Sequence, residues 1–299
     1  MSETVWPMKT REIQNHHFDS TVWNEFRFRD SDIIIATYGK SGTTWLQQIV
    51  SQLLFDGAED IAIHDMSPWL DLRTPPADVK LAALEAQTHR RFVKTHLPVD
   101  ALVYSPRAKY LYVGRDGRDV VWSLYNHHVN GNELFYQLIN DSPGRIGPPL
   151  TRPRGSVRDY FCEWLERDGY PFWSFWDNVL SWWNIRKLPN LLLLHYGRLK
   201  ADLPGEIRRI AAFLDIAVDE ARLPAIVEHC GFGYMKTNAE RVAPRGGVHF
   251  EGGARTFINE GTNGRWRGVL RPDDSARYEA MAQRRLGPAC AGWLASGHA

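Results

Sequence analysis

Tyr38-Gly39-Lys40-Ser41-Gly42-Thr43-Thr44-Trp45 puts two glycines, a lysine and three hydroxyls into eight residues, directly after the apolar run that ends at Thr37. Leu46, Ile49, Val50, Leu53 and Leu54 then recur on one helical face, so the segment reads as strand, loop and helix start. Glycines allow the backbone a tight turn, and the unpaired amides of a first helical turn point at whatever sits before them. Such a loop suits an oxyanion, with Lys40 adding a mobile positive charge. An ordinary solvated turn with a capping threonine is the alternative. The nucleoside triphosphatase pattern, G-x-x-x-x-G-K-[ST], does not fit, because Lys40 precedes Gly42. No apolar strand ends in the aspartate that would hold magnesium beside such a loop, which weakens a kinase reading and favours a metal-free anion site.

Two more strand ends carry chemistry-bearing residues. Phe92-Val93-Lys94-Thr95-His96-Leu97-Pro98 offers a cation and an imidazole, and a histidine titrating near neutrality can act as a general base. Tyr112-Val113-Gly114-Arg115-Asp116 is followed by helix-patterned residues that include Ser123, so Arg115 and Ser123 together can grip a second phosphate. Taken alone, His96 reads equally as a satisfied core residue and Arg115 as part of a surface ion network. Phe257-Ile258-Asn259-Glu260-Gly261-Thr262-Asn263-Gly264-Arg265 is glycine-punctuated and basic at its end, either a backbone-amide anion nest or a plain surface loop.

What must position these groups is a parallel sheet. Short apolar runs at Asp32–Thr37, Arg91–Thr95, Lys109–Gly114 and Asn190–Tyr196 alternate with helix-patterned stretches, which predicts an α/β fold with a central parallel sheet flanked by helices. Helices are predicted over Thr43–Asp56, Asp119–Val129, Val157–Arg167, Phe175–Arg186, Pro204–Leu214, Asp219–His229 and Asp273–Leu294. In such a sheet ligands bind beyond the carboxyl ends of the strands, where Lys40, His96 and Arg115 fall. Residues 140–156, rich in glycine, proline and arginine, read as an irregular segment, either a lid or an inert excursion. With no repeat or linker, the 299 residues read as one domain, 1–299.

Composition narrows the partners. A hydrophobic share of 43% supports a sizeable core, and a net charge of +1 offers no whole-chain attraction for nucleic acid or a membrane surface, so any anion site must be local. Three cysteines far apart, Cys162, Cys230 and Cys290, argue against a disulfide framework or a metal site and fit a reducing cytoplasm. No apolar run reaches the ~20 residues of a membrane span. Twelve tryptophans supply either core or the walls of a pocket for a flat apolar ligand, and Trp173, Trp176, Trp182 and Trp183, at helical spacing, read mainly as packing. Trp69, Phe135, Tyr136, Phe172 and Trp173 are candidate pocket walls.

Taken in order, these segments resemble the cytosolic-type sulfotransferase family, which draws its sulfuryl group from 3′-phosphoadenosine 5′-phosphosulfate (PAPS). The match runs from about Asp32 to Trp266, and its most specific piece is Thr37-Tyr38-Gly39-Lys40-Ser41-Gly42-Thr43-Thr44-Trp45. The resemblance implies a P-loop-like phosphosulfate loop in which Lys40 and the amides of Ser41, Gly42, Thr43 and Thr44 hold the 5′-phosphosulfate and Trp45 stacks on adenine. It implies that Arg115 and Ser123 hold the 3′-phosphate, that Tyr196 touches the nucleotide and that Phe232 closes the adenine pocket. It also implies that Lys94 assists at the sulfuryl centre and that His96 is the base acting on a small acceptor with a hydroxyl or amine. The chain departs from the family's pattern in three places. Gly39 stands where the family commonly has proline, Cys230 where it often has a hydroxyl residue, and Asn259 and Glu260 precede Gly261 where many members have arginine and lysine. Arg265, Arg267 or the amides of Gly261 and Thr262 are the substitutes at hand. No copy of the family's C-terminal dimer motif is present. A non-catalytic binder of adenosine 3′,5′-bisphosphate is the rival, followed by a small-molecule kinase.

Overall fold

The computed structural model describes residues 4–298. Its sheet has four strands, β1 (Ile33–Thr37), β2 (Phe92–Thr95), β3 (Lys109–Gly114) and β4 (Leu191–His195), in the order β2-β1-β3-β4 and all parallel. The period-two alternation of each strand feeds two separate cores. Ile34, Ala36, Val93, Tyr110 and Tyr112 face one layer, where Trp176, Trp182 and Tyr278 pack. Ile33, Ile35, Phe92, Leu111, Val113 and Leu194 face the other, against Leu46, Ile49, Val50, Ile207 and Ile210. Trp176, Trp182 and Trp183 are buried packing residues, as their spacing suggests.

The predicted strands recur within one residue at each end. At the fourth, however, Tyr196 opens a helix (Tyr196–Ala201) instead of closing the strand, because the His195 side chain accepts the Gly197 N–H and caps it. The helix Gly117–Val129 starts two residues earlier than predicted, capped by the Asp116 carboxylate on the Arg118 N–H. The helix expected from Asp219 starts only at Leu223, since the Asp219 side chain takes the Ala221 N–H in a turn. The long C-terminal helix Pro272–Ser296 is broken at Gly287, whose φ is 74°, just before Pro288. Of the α-helices of eight residues or more, Ala77–Ala86 and Glu133–Asn140 lie outside the predicted set, as do several single-turn helices such as Ile63–Met66 and Phe232–Thr237. Among the described residues no helix is long and apolar enough to cross a membrane.

Register decides what the sheet presents at its carboxyl edge. Ala36 pairs with Thr95 and Tyr112, and Gly114 with His195, so the residues just beyond these pairs share one edge: the Tyr38–Gly42 turn, His96, Arg115 and Tyr196.

Candidate active site

The turn after β1 is shaped by two residues in left-handed backbone conformations, Lys40 at φ 68° and Gly42 at φ 108°. Only glycine fits at 42: a Cβ there would lie 2.8 Å from Tyr196 Cδ2. The Ser41 N–H closes the turn on the Tyr38 carbonyl (3.2 Å), and Leu46 makes the first helical bond, to the Gly42 carbonyl (3.0 Å). The amides of Gly42, Thr43, Thr44 and Trp45 find no backbone acceptor among the described residues, and all four residues line one cavity of about 540 Å³.

That cavity also receives Gly39, Lys40, Lys94, His96, Arg115, Ser123, Tyr196, Phe232, Gly261 and Arg265. Of the residues expected to hold the donor, Ser41 and Arg267 stay outside its wall: Ser41 is buried with its amide used in the turn, and Arg267 lies over Trp266 (5.4 Å). Five basic side chains, Lys40, Lys94, Arg115, Lys200 and Arg265, line this space against two carboxylates, Asp119 and Glu260. Lys40 Nζ lies 3.1 Å from His127 Nδ1 and 4.9 Å above the Phe257 ring. Burial, with Lys94 and Arg115 nearby, lowers its pKa to about 7. Lys94 Nζ sits 4.7 Å over Trp69, and burial lowers its pKa to about 8 despite the pull of Asp71. Arg115 stacks on Tyr196 (4.1 Å) and ties the C-terminal loop to the Lys40 turn, donating to Asn263 Oδ1 (2.9 Å), the Thr262 carbonyl (3.2 Å) and the Lys40 carbonyl (3.0 Å). Such a space calls for a multiply charged anion.

His96 is held by its neighbours. Its Nδ1 lies 2.8 Å from the Thr37 carbonyl, which can only accept, so the proton sits on Nδ1 and the lone pair on Nε2. Thr37 Oγ1 lies 3.0 Å from the same nitrogen and 2.7 Å from Thr43 Oγ1, linking His96 to the first residue of the helix that follows the Lys40 turn. Asn178 Nδ2 donates to the His96 carbonyl (2.9 Å). Burial, followed by Lys94 and Lys40, holds the His96 pKa well below the ordinary value, with the bond to Thr37 opposing, so the imidazole is neutral at physiological pH.

The departures noted in the sequence resolve into local pairings. Arg265 Nε lies 3.4 Å from Glu260, and its Nη1 donates to Asn259 Oδ1 (3.1 Å), so the acidic residue is neutralised within the loop. Cys230 is fully buried and offers its carbonyl to Trp45 Nε1 (2.8 Å). Phe232 is 44% exposed and lies against Gly261, where a Cβ would come within 2.7 Å of its ring. Trp69, Phe135, Phe172 and Trp173 line the cavity. Tyr136 does not, because its hydroxyl turns back to the His128 carbonyl (2.6 Å) and its ring packs with Ile139 and Leu150. No residue of 140–156 lines the cavity either; Leu150 covers it indirectly, through Phe135 and Phe172.

Sequence reading missed Lys200, whose Nζ donates to the Gly261 carbonyl (2.5 Å) at the cavity edge, together with His17 and His127. His127 had a signal: it follows Ser123 by four residues, on the same helical face. His17 had none, since its place depends on how the segment before β1 packs.

The sulfotransferase domain family matches residues 30–288. The chain is 32% identical over 301 residues to a glycolipid sulfotransferase of Mycobacterium bovis (strain BCG / Pasteur 1173P2), spanning 93% of this chain and 92% of that one. It is 30% identical to sulfotransferase 1B1 of Mus musculus, over 95% and 94% of the two chains. The crystal structure of retinol dehydratase in complex with retinol and PAP superposes with a TM-score of 0.69 at 25% identity, over 89% of this chain and 84% of that one. The chain therefore belongs to the sulfotransferase family and is a sulfuryl-transfer enzyme of the PAPS-dependent kind that its loop and strand tips resemble.

Proposed function

We propose that the cavity binds PAPS at the Lys40 turn and a small, apolar or aromatic hydroxyl compound beside His96, and that His96 is the general base. The carrying observation is the convergence, on one cavity, of four free amides, five basic side chains that outnumber two carboxylates, and a neutral imidazole with a fixed tautomer. Lys40 and the amides from Gly42 to Trp45 hold the phosphosulfate, with Ser41 closing the turn that aims them. Arg115 and Ser123 take the 3′-phosphate, supported by Gly261 and Arg265, while Trp45, Tyr196 and Phe232 enclose the adenine. The donor, when bound, supplies the activated sulfuryl group and a stable bisphosphate leaving group.

In this reading His96 Nε2 receives the hydroxyl proton as the acceptor oxygen attacks sulfur and the bond from sulfur to the bridging oxygen breaks, and the imidazolium that forms is stabilised by its Nδ1–H bond to the Thr37 carbonyl. Lys40 stabilises negative charge growing on the bridging oxygen, a role of oxyanion-hole type, and Lys94 assists from the other side. Donor phosphates raise the pKa of both lysines and restore their charge. With those cations present, a hydroxyl fits the acceptor position better than an ammonium. The aromatic walls accord with a relative named for glycolipids and a structural neighbour that holds retinol. One sulfotransferase domain over 1–299 accounts for the two cores meeting at one sheet.

Thermal shift with adenosine 3′,5′-bisphosphate and no metal, against ATP with magnesium, tests the donor half. Labelled PAPS with a panel of phenols and alcohols tests the acceptor half. We expect stabilisation by the bisphosphate alone and label transfer to a hydroxyl. Stabilisation only by ATP with magnesium would favour a kinase, and bisphosphate binding with no transfer to any acceptor would favour a binding protein.

A further inference from the structure

The acceptor end of the cavity is not uniformly apolar. His17 lies in the Asn15–Phe18 bend ahead of β1, lines the cavity and is 6% exposed. Its ring packs against Phe172 at 5.4 Å and Trp69 at 6.1 Å. The backbone around it is fully engaged: its N–H donates to Asn15 Oδ1 (2.8 Å), and its carbonyl accepts from the Arg73 N–H (2.8 Å). The ring is not engaged. No hydrogen bond reaches either ring nitrogen among the described residues, and Nδ1 is shut off from solvent. Burial, with His16, His128 and His96 nearby, holds the imidazole neutral. With Nδ1 closed off and its hydrogen-bonding capacity unmet, which is unfavourable, Nε2 is the ring nitrogen that a ligand in the cavity can reach. Trp69 stands between this ring and the base, with its own ring 4.6 Å from His96.

We propose that His17 is a specificity-determining residue of the acceptor site, hydrogen-bonding a second oxygen on the acceptor's apolar frame while His96 serves the oxygen that is sulfated. The preferred acceptors are then diols or hydroxy-carbonyl compounds on an aromatic or alicyclic frame, with the two oxygens on opposite sides of the space next to Trp69. This deepens the hydroxyl-acceptor reading above and rests on it.

The test assays the full-length protein with labelled PAPS against 2-naphthol and a series of naphthalenediols in which the second hydroxyl moves around the rings. At least one diol should exceed 2-naphthol by about tenfold in kcat/KM, the scale on which a site built to hydrogen-bond a hydroxyl discriminates against its absence. That preference should fall within about twofold of unity in His17→Phe and persist in His17→Asn, which keeps a donor and an acceptor. A bisphosphate-induced rise in Tm shows that each variant is folded, and the native panel decides by itself if His17→Phe is not. Diols no better than 2-naphthol, or a preference unchanged in folded His17→Phe, would overturn the assignment of His17 alone. Transfer to no member of the series, with the bisphosphate still bound, would overturn the hydroxyl-acceptor reading and this inference with it.

Discussion

At one end of the cavity the lining groups are four consecutive residues whose main-chain amides have no backbone acceptor, Gly42 to Trp45, together with Lys40, Lys94 and Arg115. At the other end they are side chains drawn from segments far apart in sequence, from His17 through Trp69, Phe135 and Phe172 to Phe250. The first end gets its geometry from one local device, a strand turning into a helix with glycine at φ 108°, so its donors persist through side-chain changes around them. Gly39 and the Asn259-Glu260 pair show this: the turn keeps its free amides, and Glu260 is neutralised by Arg265. The acceptor end has no such backbone frame. Each wall residue there is set by tertiary packing, so a single substitution can reshape the pocket without disturbing the anion site.

Substitutions can separate the two ends. Lys40→Ala should have the largest effect, because it acts on both donor binding and the developing charge: kcat/KM should fall by about 1000-fold, with bisphosphate affinity also reduced. Unchanged affinity and rate would remove Lys40 from the site. His96→Ala should act on the chemical step only, cutting turnover by about 100-fold or more while the bisphosphate-induced Tm shift stays near normal. Near-normal turnover, or lost nucleotide binding, would break the separation of roles. Phe172→Ala should be the mildest, shifting acceptor KM by roughly 10-fold through lost apolar contact while bisphosphate affinity stays the same; a change in nucleotide affinity instead would show that the two ends are coupled.

This contrast also explains what could be read from the sequence. β3 is bounded at both residues, and the other strands within one, because short continuous apolar runs flanked by breakers report their own limits. The candidate anion site is legible as a cluster for a related reason: strand, turn and helix are contiguous, and parallel order then brings the tips bearing His96 and Arg115 alongside. Glu133–Asn140 was missed even though Asn132 caps it, since two of its aromatics had already been read as pocket walls. Tyr136 was misplaced because its hydroxyl bond to the His128 carbonyl belongs to tertiary structure. Lys200, His127 and above all His17 reach the cavity through packing between distant elements, and no local pattern encodes that.

Lys40 and Lys94 should be half-buried amines, partly discharged until a polyanion arrives. Calorimetric titration of adenosine 3′,5′-bisphosphate at pH 8, in two buffers of different ionisation enthalpy, tests it. With Lys40 lowered to about 7 and Lys94 to about 8, both are partly neutral at that pH in the free protein, and an anion that raises their pKa draws protons from the buffer. Proton uptake should be seen at pH 8, should fade toward pH 6, where both lysines are already charged, and should shrink in Lys40→Ala. Binding heats that do not depend on the buffer at pH 8, or uptake unchanged in Lys40→Ala, would contradict it.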